Sequence, residues 1–285
     1  KKLTPPANAK PFAEQSDALY QLLIAPIEAD IKNYQSLCII PNGKLSNLPF
    51  QCIGKKTDDG NVRYLIEDHG VFYTNKLTVF LKAGRKDKSL ASFTGFGNPD
   101  KSLNSAGKEV EAIGKMLNTT NIFLQDYATE SKAKQSLEQI KYIHFATHGV
   151  LNYTDFSSSY LKMANVKDGG EDGELRIDEI KSLSINGCEL VTLSACETAV
   201  NQELKKGWYI SPANAFLVSS VRSVVASLWA VDDEATNILM QAFYQNLQTM
   251  DKHEALRKAQ ATLSATPGFE HPFYWGAFVL YGDWR

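Results

Sequence analysis

From about residue 89 onward the chain repeats one cycle, in which a short and almost wholly apolar run alternates with a longer amphipathic one. The apolar runs are SLASFTGF, NIFLQ, KYIHFA, CELVTLSA and SVVASLW, and the helical patterns include SAGKEVEAIGKMLN and TESKAKQSLEQI. A strand that is apolar on both sides is stable only when both of its faces are covered, as in a parallel sheet with helices above and below. The cycle therefore predicts an α/β fold of three layers, with a mostly parallel central sheet flanked by helices. Two further helices are expected over about 233–249 and 253–265, and YWGAFVLYG reads as a last strand. At 285 residues the chain is long enough to bury a large core.

The N-terminal part is less regular. It predicts a helix over about 12–34 interrupted near Pro26, a strand at SLCIIP closed by Asn42-Gly43, and further short strands at LPFQCI and VRYLIEDHGVFYTN. The charged stretch 83–89 reads as a loop, which divides an N-terminal subdomain, 1–88, from a larger one, 89–285. The Gly- and Asp-rich segment 167–174 reads as a hairpin or loop. Lys1 in place of an initiating methionine is expected of a piece cut from a longer protein.

Thirty basic against thirty-two acidic side chains give a net charge of −2, which argues against a general nucleic-acid binder or a binder of acidic membranes. No apolar run approaches the roughly 20 residues of a membrane span. Cys38, Cys52, Cys188 and Cys196 form no CxxC pair and are too sparse for a disulfide-built fold. That usage predicts a reducing, cytoplasmic setting, with no structural metal and no cofactor.

Two of the apolar strands run directly into reactive side chains. KYIHFA continues into Thr147-His148-Gly149, and CELVTLSA continues into Cys196-Glu197-Thr198. In open parallel sheets, sites form at the carboxyl ends of strands, so adjacent strands would set an imidazole beside a thiol. A free thiol has a pKa of about 8.5, and a neighbouring histidine raises its thiolate fraction or takes its proton. His148 and Cys196 are thus the candidate catalytic dyad, and the backbone N–H groups of Gly149 and Cys196 are candidates for an oxyanion hole. Either residue alone would fit a sheet core; the order and spacing of the pair are what point to chemistry.

Cys196 stands 48 residues beyond His148, close to the separation of about 50 in caspases. The local caspase motif around the cysteine is replaced by SACET. The runs LCIIPNGKLSNLPFQCI, YLIEDHGVFYT, HFATHG, LVTLSACETA, SVVASLWAVDDEAT, ALRKAQATL and HPFYWGAFVLYGDW, in that order, resemble the CHAT domain. This is a relative of caspases and separases known from bacteria, often behind tetratricopeptide repeats. The resemblance spans nearly the whole chain. It implies a caspase-hemoglobinase-like fold, with 1–88 as a pseudo-caspase-like part, and cysteine endopeptidase activity on protein substrates through His148 and Cys196. It also implies an upstream regulatory region, such as tetratricopeptide repeats, or an activating partner, in a setting of bacterial defence or cell death. SLWAVDDEA resembles the separase stretch that lines a pocket for a basic substrate side chain. Asp233 is the matching position, with Asp232 and Glu197 as further candidates. After the cysteine the chain departs from the family pattern: KKGWYISPANAF places Pro212 and Asn214 where leucine and arginine are common.

Other features read as structural. His144 and His148 have zincin spacing, but Phe145 stands where the glutamate would be. GFGN at 95–98 lacks a third glycine and reads as a tight turn ending a strand. The acidic run 232–234 also suits the first turn of a helix. The competing function is a catalytically silent CHAT-type interaction module that holds a partner with an unaligned dyad.

Overall fold

The apolar runs pair as strands and the amphipathic ones cover them. The computed structural model describes residues 2–5, 12–75, 89–152, 154–166, 170–195, 198, 202–204 and 208–285. In chain order the elements begin with α1 (Phe12–Leu23), α2 (Glu28–Ile31), β1 (Ser36–Ile39), β2 (Gly54–Lys56), β3 (Val62–Tyr64), α3 (Leu65–Asp68), β4 (Gly70–Tyr73) and β5 (Phe93–Gly97). There follow α4 (Asn104–Met116), β6 (Ile122–Leu124), α5 (Glu130–Gln139), β7 (Tyr142–Ala146), β8 (Gly149–Val150), β9 (Tyr160–Lys162), β10 (Glu174–Arg176), α6 (Ile177–Ser182) and β11 (Leu190–Ser194). The chain ends with β12 (Gln202–Leu204), β13 (Trp208–Ile210), α7 (Pro212–Val218), β14 (Ser223–Ser227), α8 (Asp233–Leu247), α9 (Lys252–Ser264), α10 (Pro272–Trp275) and β15 (Phe278–Gly282).

Among the described residues eight strands form one sheet in the order β1-β4-β15-β14-β11-β7-β5-β6. The five strands β14, β11, β7, β5 and β6 are mutually parallel. β15 is antiparallel to β14 yet parallel to β4, which is parallel to β1, so three strands run the opposite way. The reversal has a plain cause. A single crossover helix returns the chain to the starting end of the sheet and yields a parallel neighbour. Here two helices, α8 and α9, pack on each other between β14 and β15. Their antiparallel pair brings the chain back to the end at which β14 finished, and the next strand must run backwards.

Side chains alternate between the two faces of the sheet. Phe93, Tyr142 and Leu190 pack with Ile113 of α4, Phe243 of α8 and Leu256 of α9 on one face. Phe96, Phe145 and Leu193 pack with Ile180 of α6 and Phe216 of α7 on the other. Each such ring withdrawn from water contributes roughly 2–3 kcal/mol.

The N-terminal region differs from expectation in two places. LPFQCI is no strand; Phe50–Cys52 is a 3-10 turn. Three successive buried residues do not suit a strand covered on one side, and the turn lets Phe50 N–H donate to Tyr73 Oη and Gln51 donate to the Gly276 carbonyl. Within VRYLIEDHGVFYTN, the run LIED forms the short helix α3 between β3 and β4, because the Glu67 carboxylate accepts from Tyr64 N–H and caps it. β9 and β10 pair antiparallel around the segment expected as a hairpin, of which 167–169 lie outside the described residues. The proposed dividing loop at 83–89 also lies outside them, apart from Ser89.

Candidate functional site

β5, β7, β11 and β14 are neighbours, and their carboxyl ends open onto one side of the molecule. β7 ends at Ala146 and His148 follows in the short link to β8. β9 holds that link in place: Lys162 N–H donates to the His148 carbonyl at 2.9 Å, and the Thr147 hydroxyl donates to the Lys162 carbonyl. The imidazole is about one third exposed.

β11 is the next strand, in register with Ser194 opposite Ala146. Cys196 and Glu197 lie outside the described residues, but Ala195 and Thr198 on either side of them are held. The Ala195 carbonyl accepts from Ser227 Oγ at 2.6 Å and from Thr198 Oγ1 at 3.2 Å, so β14 ties Ala195 and Thr198 together. Thr198 in turn accepts from Ala213 N–H at the start of α7. Gly149, the oxyanion candidate next to His148, begins β8 and pairs with Leu161. Burial pushes the Cys38 thiol up to about 11 and Cys188 up to about 12, and Cys52 is wholly buried and pushed higher still, which disfavours a thiolate at all three.

A cavity of about 120 Å³ lies between these strand ends and the starts of α4 and α8. Thr147, His148, Ser194 and Ala195 line one side of it; Asp233 and Glu109 line the other. The two adjacent aspartates have separate roles. Asp232 is 3% exposed and caps α8, its Oδ1 accepting from Glu234 and Ala235 N–H while Oδ2 accepts from Leu3 N–H. Asp233, the first residue of the helix, borders the cavity.

Two groups of residues in this region were missed in reading the sequence. The first is a loop after β5. Asn98, with a φ of 51°, turns the chain, and its Oδ1 accepts from Leu103 N–H. This swings Asp100 and Ser102 to His148, with Ser102 Oγ 2.7 Å from Nε2. Burial opposes the charge on Asp100, but hydrogen bonds from Lys162 and Ser102 outweigh it and hold the carboxyl well below the usual carboxylate range. The second is a buried chain beneath the cavity. Glu109 Oε1 lies 2.8 Å from His144 Nε2, His144 Nδ1 lies 3.2 Å from Tyr244 Oη, and Tyr244 donates to Thr192 Oγ1. A polar Glu109 among the apolar positions of α4 was the available signal. His144 is thus spent on Glu109 and Tyr244, pointing away from zinc chemistry.

Among the described residues one cluster has the spacing of a metal site, formed by Glu130, Glu171 and Glu179. The Lys134 ammonium lies within 2.8 Å of a carboxylate oxygen of each and occupies the point between them where an ion would sit. None of the described helices is long and apolar enough to cross a membrane.

Comparison with known proteins agrees with this fold. A family model described as the CHAT domain matches residues 13–283. Tetratricopeptide repeat protein 28 of Homo sapiens is 25% identical over 93% of the chain, and its Mus musculus counterpart is 24% identical. The chain spans 13% of the length of each of these relatives. Among solved structures, separase in the Saccharomyces cerevisiae separase–securin complex superposes with a TM-score of 0.62, at 16% identity, over 92% of this chain and 17% of that one. The Arg-specific cysteine proteinase gingipain R superposes with a TM-score of 0.52, at 12% identity, over 99% of this chain and 68% of that one.

Proposed function

The chain belongs to the CHAT-domain family, and from that premise we propose that it is a cysteine endopeptidase that cleaves protein substrates. The observation that supports this most is the cavity at the carboxyl ends of β7 and β11, where His148 and the residue before Cys196 border one space. In this reading the Cys196 sulfur attacks the peptide carbonyl, forming a C–S bond while the carbonyl electron pair moves to oxygen. Backbone N–H groups of Gly149 and Cys196 hold that oxyanion. His148 passes the thiol proton to the leaving amine, the C–N bond breaks, and water then releases the acyl group.

The residue before the scissile bond is basic in this proposal, selected by Asp233 with Glu197 as a further contributor. Asp233 borders a small cavity beside His148, where a cationic substrate side chain would meet its negative charge. Asp232 contributes by capping the helix that presents Asp233. Control of the activity by an upstream repeat region or an activating partner, with residues 1–88 as a supporting subdomain, completes the proposal.

Arg and Leu peptide reporters, offered to the wild-type chain and to Cys196→Ala, test both parts. Turnover by the wild type alone, with Arg preferred at least about tenfold, is the expected result. Equal cleavage of a protein panel by both chains would overturn the peptidase in favour of a silent interaction module. Equal turnover of the two reporters would overturn the basic preference.

A further inference from the structure

The histidine of the dyad has supporting partners that the chain's family resemblance does not supply. His148 Nε2 lies 2.7 Å from Ser102 Oγ, and Ser102 Oγ lies 2.7 Å from Asp100 Oδ1. Ser102 N–H also donates to Oδ1, at 3.1 Å. The second carboxylate oxygen, Oδ2, accepts from Lys162 Nζ at 2.8 Å and is 3.7 Å from His148 Nε2. The loop that brings these groups together is anchored at Asn98, whose N–H donates to the Ala146 carbonyl at the end of β7.

The arrangement has a direction. Ser102 owns one hydroxyl proton and has two neighbours at hydrogen-bond distance. An ionised Asp100 has no proton to give, so a Ser102 hydroxyl turned toward His148 would leave two oxygen lone pairs facing each other at 2.7 Å. The stable state has Ser102 O–H donating to Asp100 and Ser102 Oγ accepting from His148 Nε2–H. Nε2 is then committed as a donor, and Nδ1 is the nitrogen left for proton exchange.

Resting on the peptidase reading above, we propose that Asp100 and Ser102 are positioning residues that lock His148 in its Nε2–H tautomer and reserve Nδ1 for proton exchange in the reaction. When Nδ1 takes the thiol proton, the positive charge on the ring is stabilised through Ser102 by Asp100, which stays ionised throughout. The proton later leaves Nδ1 for the amine, and the relay returns to its starting state without a net transfer. Lys162 moderates the charge that Asp100 offers. Among the described residues the charged groups facing His148 are Asp100 and Lys162 on one side and Glu109 and Asp233 across the cavity.

Nitrogen-15 NMR of the histidines in the 285-residue chain tests this. It is run in the Cys196→Ala background, where the thiol does not titrate with the ring and peptide turnover plays no part. His148→Ala identifies the signal. Expected is an Nε2–H tautomer at high pH, with a protonation midpoint that falls by about 1 pH unit in Asp100→Asn and rises by about half a unit in Lys162→Met. Ser102→Ala should mix the tautomers, and Ser102→Thr, which keeps the hydroxyl, should restore them. Midpoint shifts of the same sign in Asp100→Asn and Lys162→Met would indicate a merely structural loss and overturn the relay. An Nδ1–H tautomer in the starting chain would also overturn it. Failure of the reporter assay with the NMR result intact would instead overturn the peptidase and leave the relay standing.

Discussion

The sheet holds two sets of strands that run in opposite directions, and they have different tasks. The five parallel strands β14, β11, β7, β5 and β6 deliver loops and helix starts to one edge, where His148, Asp233, Asp100 and Ser102 gather. The three reversed strands β15, β4 and β1 end at the opposite edge, and the residues at their starts carry packing instead. Ser36 Oγ of β1 lies 2.6 Å from His253 Nε2, and Gly70 of β4 sits so near the same imidazole that a Cβ would meet it at 2.4 Å. Gly276, just before β15, is pressed as closely against Cys52 Sγ. Parallel strands linked through single helices accumulate their carboxyl ends on one side, and a site needs that accumulation. β15, reversed by the helix pair α8 and α9, takes its end away from it.

The sharpest break between the two sets is activity against stability. Cys196→Ala or His148→Ala should lower kcat/KM on a cleavable reporter by about a thousandfold or more, while the denaturant midpoint stays where it was. A buried residue of the same five strands should behave otherwise. His144→Phe strands the Glu109 carboxylate in the core, and a loss of about 3 kcal/mol is expected in urea unfolding. Gly276→Ala, just before the reversed strand β15, should cost about 1–3 kcal/mol through crowding of Cys52, with kcat per folded molecule unchanged.

The smallest effect is a difference in acid response. Burial holds the His253 imidazole below its ordinary pKa, so the unfolded chain binds its proton more readily. That contribution to stability is present above about pH 6.5 and is lost as pH falls toward the folded-state value. Asp100, whose carboxyl is held low by Lys162 and Ser102 against the opposing effect of burial, contributes above about pH 4 and is lost only below it. Thermal melts in His253→Phe should flatten the decline that starts near pH 6.5, and Asp100→Asn should flatten only the most acidic part. Coincident changes in both variants would erase the distinction between the two sets.

Much of this was legible in the sequence because burial on both faces leaves a readable mark. KYIHFA and CELVTLSA are mostly apolar, and they became the adjacent strands β7 and β11 in the expected parallel order. The loop with Asp100 and Ser102 left no such mark: its residues are polar, partly exposed and free of any period, and they matter only because Asn98 turns them onto a strand two cycles further on. LPFQCI misled for the opposite reason. Its buried residues suggested a strand, but their burial comes from Tyr73 and Gly276, which are distant in the chain.

By itself, the sequence determined the alternation of strands and helices, the order in which histidine and cysteine appear, and the strand ends on which both fall, because these follow from local pattern and chain direction. The tertiary structure alone decided that β15 runs backwards, since the packing of α8 on α9 sets where the chain re-enters the sheet. It also separated two neighbouring aspartates of identical chemistry. Asp232 has the extended backbone of a helix cap and turns its carboxylate onto the N–H groups of the first turn, whereas Asp233, one residue later and already helical, borders the cavity beside His148.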